Sequence, residues 1–198
     1  MSYNFRYIYT EKADLTGDNV LSLLYAARKY EVTSLLQKCR TFLERNIEPV
    51  NVCDILKHAV ELNDDEITEN CVNYVIKNGK KILFLDGFKT LSKDVLAKVI
   101  ESNALCVDED LVFTACIEWA THQCDLQRRK VCDGNIRKCL GDILYLIRFP
   151  TMPIETFTSI ASRGDILTAE EKVAIFQNFS DASSYEHRFP ANPRVNRH

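Results

Sequence analysis

Apolar positions between residues 18 and 46 recur at helical spacing and predict two consecutive helices. The first helix is expected to begin at Asp18, whose carboxylate suits an N-cap, and the second to end between Asn46 and Pro49. The apolar positions of the first helix are Val20, Leu23, Leu24, Ala27 and Tyr30, and those of the second are Leu35, Leu36, Cys39, Phe42 and Leu43. Two amphipathic helices joined by a short turn indicate a helix hairpin.

The apolar pattern of this hairpin returns 32 residues later. The shift superposes Val20 and Val52, Leu24 and Leu56, Ala27 and Ala59, Leu35 and Ile67, and Cys39 and Cys71. A fainter third copy, with one extra residue in the turn, has the apolar positions Leu96, Val99, Ile100, Val112, Cys116, Trp119 and Ala120. Since one hairpin cannot bury its apolar faces alone, neighbouring hairpins stack. The sequence therefore predicts an all-α fold of stacked helix hairpins.

The other segments supply connectors and further helices. Residues 80–91 are interpreted as a short helix and a connector, and residues 125–133 as an exposed charged loop before a helix at about residues 136–147. Thr168-Ala-Glu-Glu171 has the sequence of a capping box at the start of another helix. After Phe179 the chain becomes polar, which predicts an irregular linker.

Composition supports a helical, intracellular protein. The 198 residues are 46% hydrophobic and include only 6 Gly and 5 Pro, which disfavours disorder and Gly-rich all-β folds. The net charge of -3 and pI near 5.8 disfavour a nucleic-acid partner. Without a recognisable signal peptide or a membrane-length apolar run, we expect a cytoplasmic protein that does not bind membranes and whose eight cysteines are reduced.

The residues that could carry catalysis do not form a recognised catalytic motif. The sequence has no Gly-rich phosphate loop and no Cys-x-x-Cys pair, so neither a nucleotide nor a structural zinc ion is predicted. A metal site could be drawn from Cys116, His122, Cys124, Cys132 and Cys139. His58 could likewise serve as a base for Cys53 or Cys71. We favour buried structural cysteines and a surface histidine, and hence no enzyme, no cofactor and no metal.

Two other groups have structural interpretations. Asp64-Asp65-Glu66 and Asp108-Glu109-Asp110 each precede an apolar helical run, where acidic residues cap free amides and favour the helix dipole. Trp119, the sole tryptophan, aligns with aromatic residues of the other copies and is expected to be a core anchor.

Several stretches resemble a known family. Phe5-Arg-Tyr-Ile-Tyr-Thr10, residues 19–30 and residues 35–43 resemble the C-terminal half of a BTB/POZ domain. Glu118-Trp119-Ala120, residues 144–152 and residues 164–168 resemble the BACK domain of the BTB-BACK-PHR subfamily. The resemblance implies part of a BTB domain at residues 1–47, a BACK domain at 48–179 and a linker or tail at 180–198. It also implies that the N-terminal part of BTB and the PHR domain are missing from this sequence.

The resemblance further implies a non-enzymatic adaptor. Members of this family are described as substrate adaptors of cullin-3 RING ubiquitin ligases, so the expected partners are a cullin-3 type scaffold, bound weakly by this chain, and an unidentified ubiquitination substrate. In the family, the hairpin corresponding to residues 52–76 contacts the N-terminal extension of the cullin. Candidate residues for lining a groove on this hairpin are Val60, Leu62, Val72 and Val75.

Two other functions are compatible with the sequence. A freestanding helical-repeat module unrelated to ubiquitin could hold a peptide between hairpins. A metal- or thiol-dependent enzyme would use the cysteine cluster instead.

Overall fold

The computed structural model describes residues 14–180 and 188–195. The chain divides into two compact units, Met1–Val75 and Ile76–His198. Within the described residues there are eleven α-helices and no strand, which confirms the all-α prediction. None of these helices has both the length and the apolar character needed to span a membrane.

The helices are α1 (Val20–Lys29), α2 (Thr33–Arg45), α3 (Val52–Glu61), α4 (Asp65–Lys77), α5 (Gly79–Ile82), α6 (Asp86–Lys89), α7 (Lys93–Glu101), α8 (Glu109–Leu126), α9 (Asp133–Leu140), α10 (Ile154–Arg163) and α11 (Ala169–Ser180). Two 3-10 segments, Gly141–Leu146 and Phe149–Thr151, lie between α9 and α10. The aromatic motif at residues 5–10 falls outside the described residues, as do residues 181–187 of the expected linker.

The first unit reproduces the sequence repeat helix by helix. Helices α3 and α4 begin and end 32 residues after α1 and α2. The turns match as well, because Glu31 and Asn63 both have a positive φ, at 56° and 49°. The repeat therefore determines backbone geometry as well as the apolar pattern.

The helix starts in this unit share a local hydrogen-bonded turn. The Asn19 side chain accepts a bond from the Thr16 backbone N–H and donates one to a backbone carbonyl five residues before it. Asn51 makes the same two contacts in the second copy, accepting from the Glu48 N–H. Asn19 is thus the residue before α1, and the expectation that Asp18 caps this helix is wrong.

Asp64 joins the two hairpins. Its carboxylate accepts from the Ile67 N–H at 3.3 Å, which confirms the predicted role at the start of α4. The same buried carboxylate also accepts two bonds from the Arg40 guanidinium, at 3.0 and 2.9 Å. Because Arg40 lies on α2, this ion pair connects the first hairpin to the second.

The second unit is built around the long helix α8. Helix α8 packs mainly against α9 and α6, whereas α7 packs against the first 3-10 segment. Both helices of the faint third copy therefore form, although each packs mainly against other elements. The predicted continuous helix at residues 136–147 is wrong, since α9 ends at Leu140 and Gly141 adopts a positive φ of 52°.

The C-terminal segment packs onto this unit. The Phe189 ring lies 5.2 Å from the Phe149 ring, and Arg194 pairs with Glu109 of α8. The Val195 N–H donates to the Asn103 carbonyl at 2.9 Å. Residues 188–195 lack regular secondary structure, as expected for the tail, but they are anchored rather than free.

Candidate functional site

The hairpin formed by α3 and α4 carries the candidate partner surface. Its inner face is apolar and buried, with Val52, Ile55, Leu56 and Ala59 on α3 and Ile67, Cys71 and Val75 on α4. The four-residue spacing along α4 places its three residues on one stripe of the helix. The hairpin therefore presents only its outer faces and its turn to a partner.

The structure separates the four candidate groove residues into two groups. Val75 is 0% exposed and Val72 is 9% exposed, so neither presents an open surface. The expected inner stripe ended on Tyr74, but the structure buries Val75 and leaves Tyr74 partly exposed. Val60 and Leu62 are also partly exposed. A partner-binding role for the four residues stays a prediction, and Val60 and Leu62 are the accessible pair.

Polar side chains surround this accessible pair. Lys57, His58 and Glu61 are exposed on α3, and the His58 ring lies 3.4 Å from the Glu61 carboxylate. The interpretation of His58 as a surface histidine is confirmed. Two apolar side chains within a charged helix surface suit a small contact with an apolar peptide.

The buried cysteines of this hairpin are poor nucleophiles. Burial raises the pKa of the Cys53 thiol to about 11, and burial followed by the nearby Cys53 raises that of Cys71 to about 12. Since the thiolate is the reactive form, both sulfur atoms stay protonated near neutral pH. The pairing of His58 with either cysteine as a catalytic dyad is therefore chemically unfavourable.

The proposed metal ligands are dispersed in the same way. Across residues 14–180 and 188–195, no three His, Cys, Asp or Glu side chains gather as a metal-binding group. Cys116 is fully buried, and burial raises its pKa to about 12. Of the five residues considered, the structure brings Cys124 and Cys139 into contact.

Comparison with known proteins identifies the family. The BACK model, described as "BTB And C-terminal Kelch", matches residues 52–162, and the BTB/POZ domain model matches residues 5–47. This chain belongs to the BTB-BACK family. It is therefore a member of a family of protein-interaction adaptors, whose BTB and BACK domains are typically non-enzymatic interaction modules.

Individual relatives cover nearly all of this BTB-BACK chain. BTB/POZ domain-containing protein 6 of Homo sapiens is 34% identical over 96% of this chain and 35% of its own length. BTB/POZ domain-containing protein 6 of Xenopus tropicalis is 35% identical over 93% of the chain and 35% of its length. BTB/POZ domain-containing protein 3 of Homo sapiens is 33% identical over 96% and 36%. The chain spans about a third of the length of the curated relatives it matches.

The BACK match begins where the candidate hairpin begins. Its first residue, Val52, is also the first residue of α3, and its last, residue 162, lies at the end of α10. The candidate surface is thus the first hairpin of the BACK match. The domain boundaries at 47/48 and 179/180 stay predictions.

Sequence reasoning missed a buried charge network within the BACK part. Arg194 donates to the Glu109 carboxylate and to the carbonyl oxygens of Ile100 and Ser102. Arg148 donates to the Asn103 side chain at 2.6 Å. Its partners are distant along the chain, so no local pattern of the sequence indicates this network.

All eight cysteines are expected to react as free thiols in freshly purified protein. The structure has eight free cysteines, seven of which are buried or only partly exposed. A thiol reagent added in denaturant without a reductant should therefore detect eight thiols per chain. Repeating the titration after treatment with a reductant provides the control, and a reproducible difference of two would contradict the expectation.

Proposed function

We propose that this BTB-BACK protein is a non-enzymatic cytoplasmic adaptor that contributes to docking a cullin-3 type scaffold during protein ubiquitination. The proposal is carried by one observation: the BACK match starts on a hairpin whose outer surface leaves Val60 and Leu62 accessible. The substrate would be held by other parts of a longer protein.

The physical chemistry of this surface favours a weak apolar contact. Val60 lies near the end of α3, and Leu62 follows it at the turn, directly before Asn63 with its positive φ. The two side chains can cover only a small apolar patch, and ordering a peptide opposes the gain from its burial. A dissociation constant of tens of micromolar or weaker, about -6 kcal/mol, is therefore expected for the isolated contact.

The proposal predicts that Val60→Asp weakens binding of the cullin N-terminal extension. The experiment is a titration of fluorescently labelled full chain with a peptide of that extension. A charge at the partly buried Val60 position removes apolar contact and must be desolvated, so binding should weaken about tenfold or more.

Val50→Asp is the matched control, because Val50 is exposed on the loop before α3 and the substitution adds the same charge. Circular dichroism checks that both variants keep the helical content of the parent. Equal affinity of the parent and a folded Val60→Asp variant would contradict docking on this hairpin. A scrambled peptide that binds equally well would instead favour a general peptide-binding module.

A further inference from the structure

Two cysteines of the second unit lie in direct contact inside the protein. Cys124 is near the end of α8, and Cys139 is near the end of α9. Their sulfur atoms are 3.6 Å apart, and the side chains are 0% and 8% exposed. The two helices that carry them pack against each other. This contact is therefore part of a packed helix interface.

We propose that Cys124 and Cys139 are a reversible disulfide site that is oxidised by hydrogen peroxide or a related hydroperoxide. A disulfide requires the two sulfur atoms to approach by about 1.5 Å, a distance comparable to small side-chain rotations. The helices already hold the thiols together, so the bond does not require a domain movement.

The reaction balances with peroxide as the two-electron oxidant. The Cys139 sulfur, the more exposed of the two, attacks one peroxide oxygen, and the O–O bond breaks. Hydroxide leaves and takes up the thiol proton as water, which gives a sulfenic acid. The Cys124 sulfur then attacks the Cys139 sulfur, the S–O bond breaks, and the second oxygen leaves as water with the Cys124 proton. Two thiols and one peroxide thus yield one disulfide and two waters.

The surroundings keep this pair reduced under ordinary conditions. Burial, together with the hydrogen bond to Cys139, raises the pKa of the Cys124 thiol to about 11. The thiolate fraction is consequently small, and the second step is slow. The pair should respond to sustained oxidant rather than to brief exposure.

Oxidation would close a loop that carries a basic segment. The 13 residues from Gln127 back to Leu126 and on to Lys138 are not needed to make the bond, but Arg128, Arg129 and Lys130 lie within the closed loop and are exposed. A bond between Cys124 and Cys139 restricts the unfolded chain over this loop. The thermal midpoint of the oxidised protein should therefore rise by roughly 5–10 °C.

The deciding experiment uses the full chain treated with hydrogen peroxide, followed by thiol titration and non-reducing peptide mapping. We expect the titratable thiols to fall from eight to six, a Cys124–Cys139 cross-linked peptide, and recovery of eight thiols after addition of a reductant. A cross-link to the exposed Cys132 in place of this pair would overturn the proposal. Oxidation without any disulfide would overturn it as well.

Cys139→Ala and Cys116→Ala form a matched pair of variants. Cys116 is fully buried in α8, the same helix as Cys124. Cys139→Ala should abolish the cross-link and the peroxide-dependent rise in thermal midpoint, whereas Cys116→Ala should retain both. Peptide mapping of the parent chain decides the question even if a variant fails to fold.

Discussion

Replacing Arg194 with alanine is expected to lower the free energy of unfolding of the second unit by about 3–5 kcal/mol. The guanidinium pairs with Glu109 and donates to the carbonyl oxygens of Ile100 and Ser102, and both charged side chains are buried. Removing it leaves the Glu109 carboxylate without this partner in a site of low polarity. Chemical denaturation followed by circular dichroism measures the loss.

Arg188→Ala is the control for this prediction. Arg188 belongs to the same segment but is exposed, with its guanidinium 4.0 Å from the centre of the Tyr145 ring. Its removal should cost about 1 kcal/mol or less. A double replacement, Glu109→Leu with Arg194→Met, should be less destabilising than Arg194→Ala, because it leaves neither charge of the pair buried. Equal stability of Arg194→Ala and the parent would contradict the structural role of the segment.

Replacing Trp119 with alanine is expected to lower the free energy of unfolding by about 3–5 kcal/mol, the usual cost of emptying a large aromatic site. Trp119 is 3% exposed on α8, which confirms the prediction of a core anchor. Its indole N–H donates to the Leu91 carbonyl at 2.9 Å, so the side chain also connects α8 to the segment before α7. Thermal unfolding monitored by circular dichroism tests the expectation.

Trp119→Phe separates the two contributions of this side chain. Phenylalanine keeps most of the apolar volume but cannot donate to Leu91, and an unpaired buried carbonyl costs about 1–3 kcal/mol. The phenylalanine variant should therefore be intermediate between the parent and Trp119→Ala. An unchanged midpoint for Trp119→Ala, together with lost binding of a partner, would instead identify Trp119 as a surface anchor.

The sequence predicted the candidate hairpin but not which side chains it exposes. The 32-residue repeat located α3 and α4 to the residue. Assigning faces on α4 required the rotation of that helix within its unit, and the choice between Tyr74 and Val75 differs by only 100° around the axis. Since both residues are apolar, the local pattern did not decide between them.

Turn chemistry was predictable where it is local. The capping box at Thr168 is confirmed, because the Thr168 N–H donates to the Glu171 carboxylate at 2.8 Å and the Glu171 N–H donates to the Thr168 hydroxyl at 3.2 Å. These partners are three residues apart, within reach of one helical turn. The break at Gly141 was missed, since apolar spacing continues across it while the backbone changes to a positive φ.

The sequence by itself determined the helical class, the repeated hairpin and the resemblance that led to the BTB-BACK family. Periodic burial, turn residues and family motifs are all written within short stretches of chain. The tertiary structure alone decided that Arg40 pairs with Asp64, that Arg194 pairs with Glu109, and that Cys124 meets Cys139. These contacts join residues 15 to 85 positions apart, and their energies depend on burial that only the packed helices create.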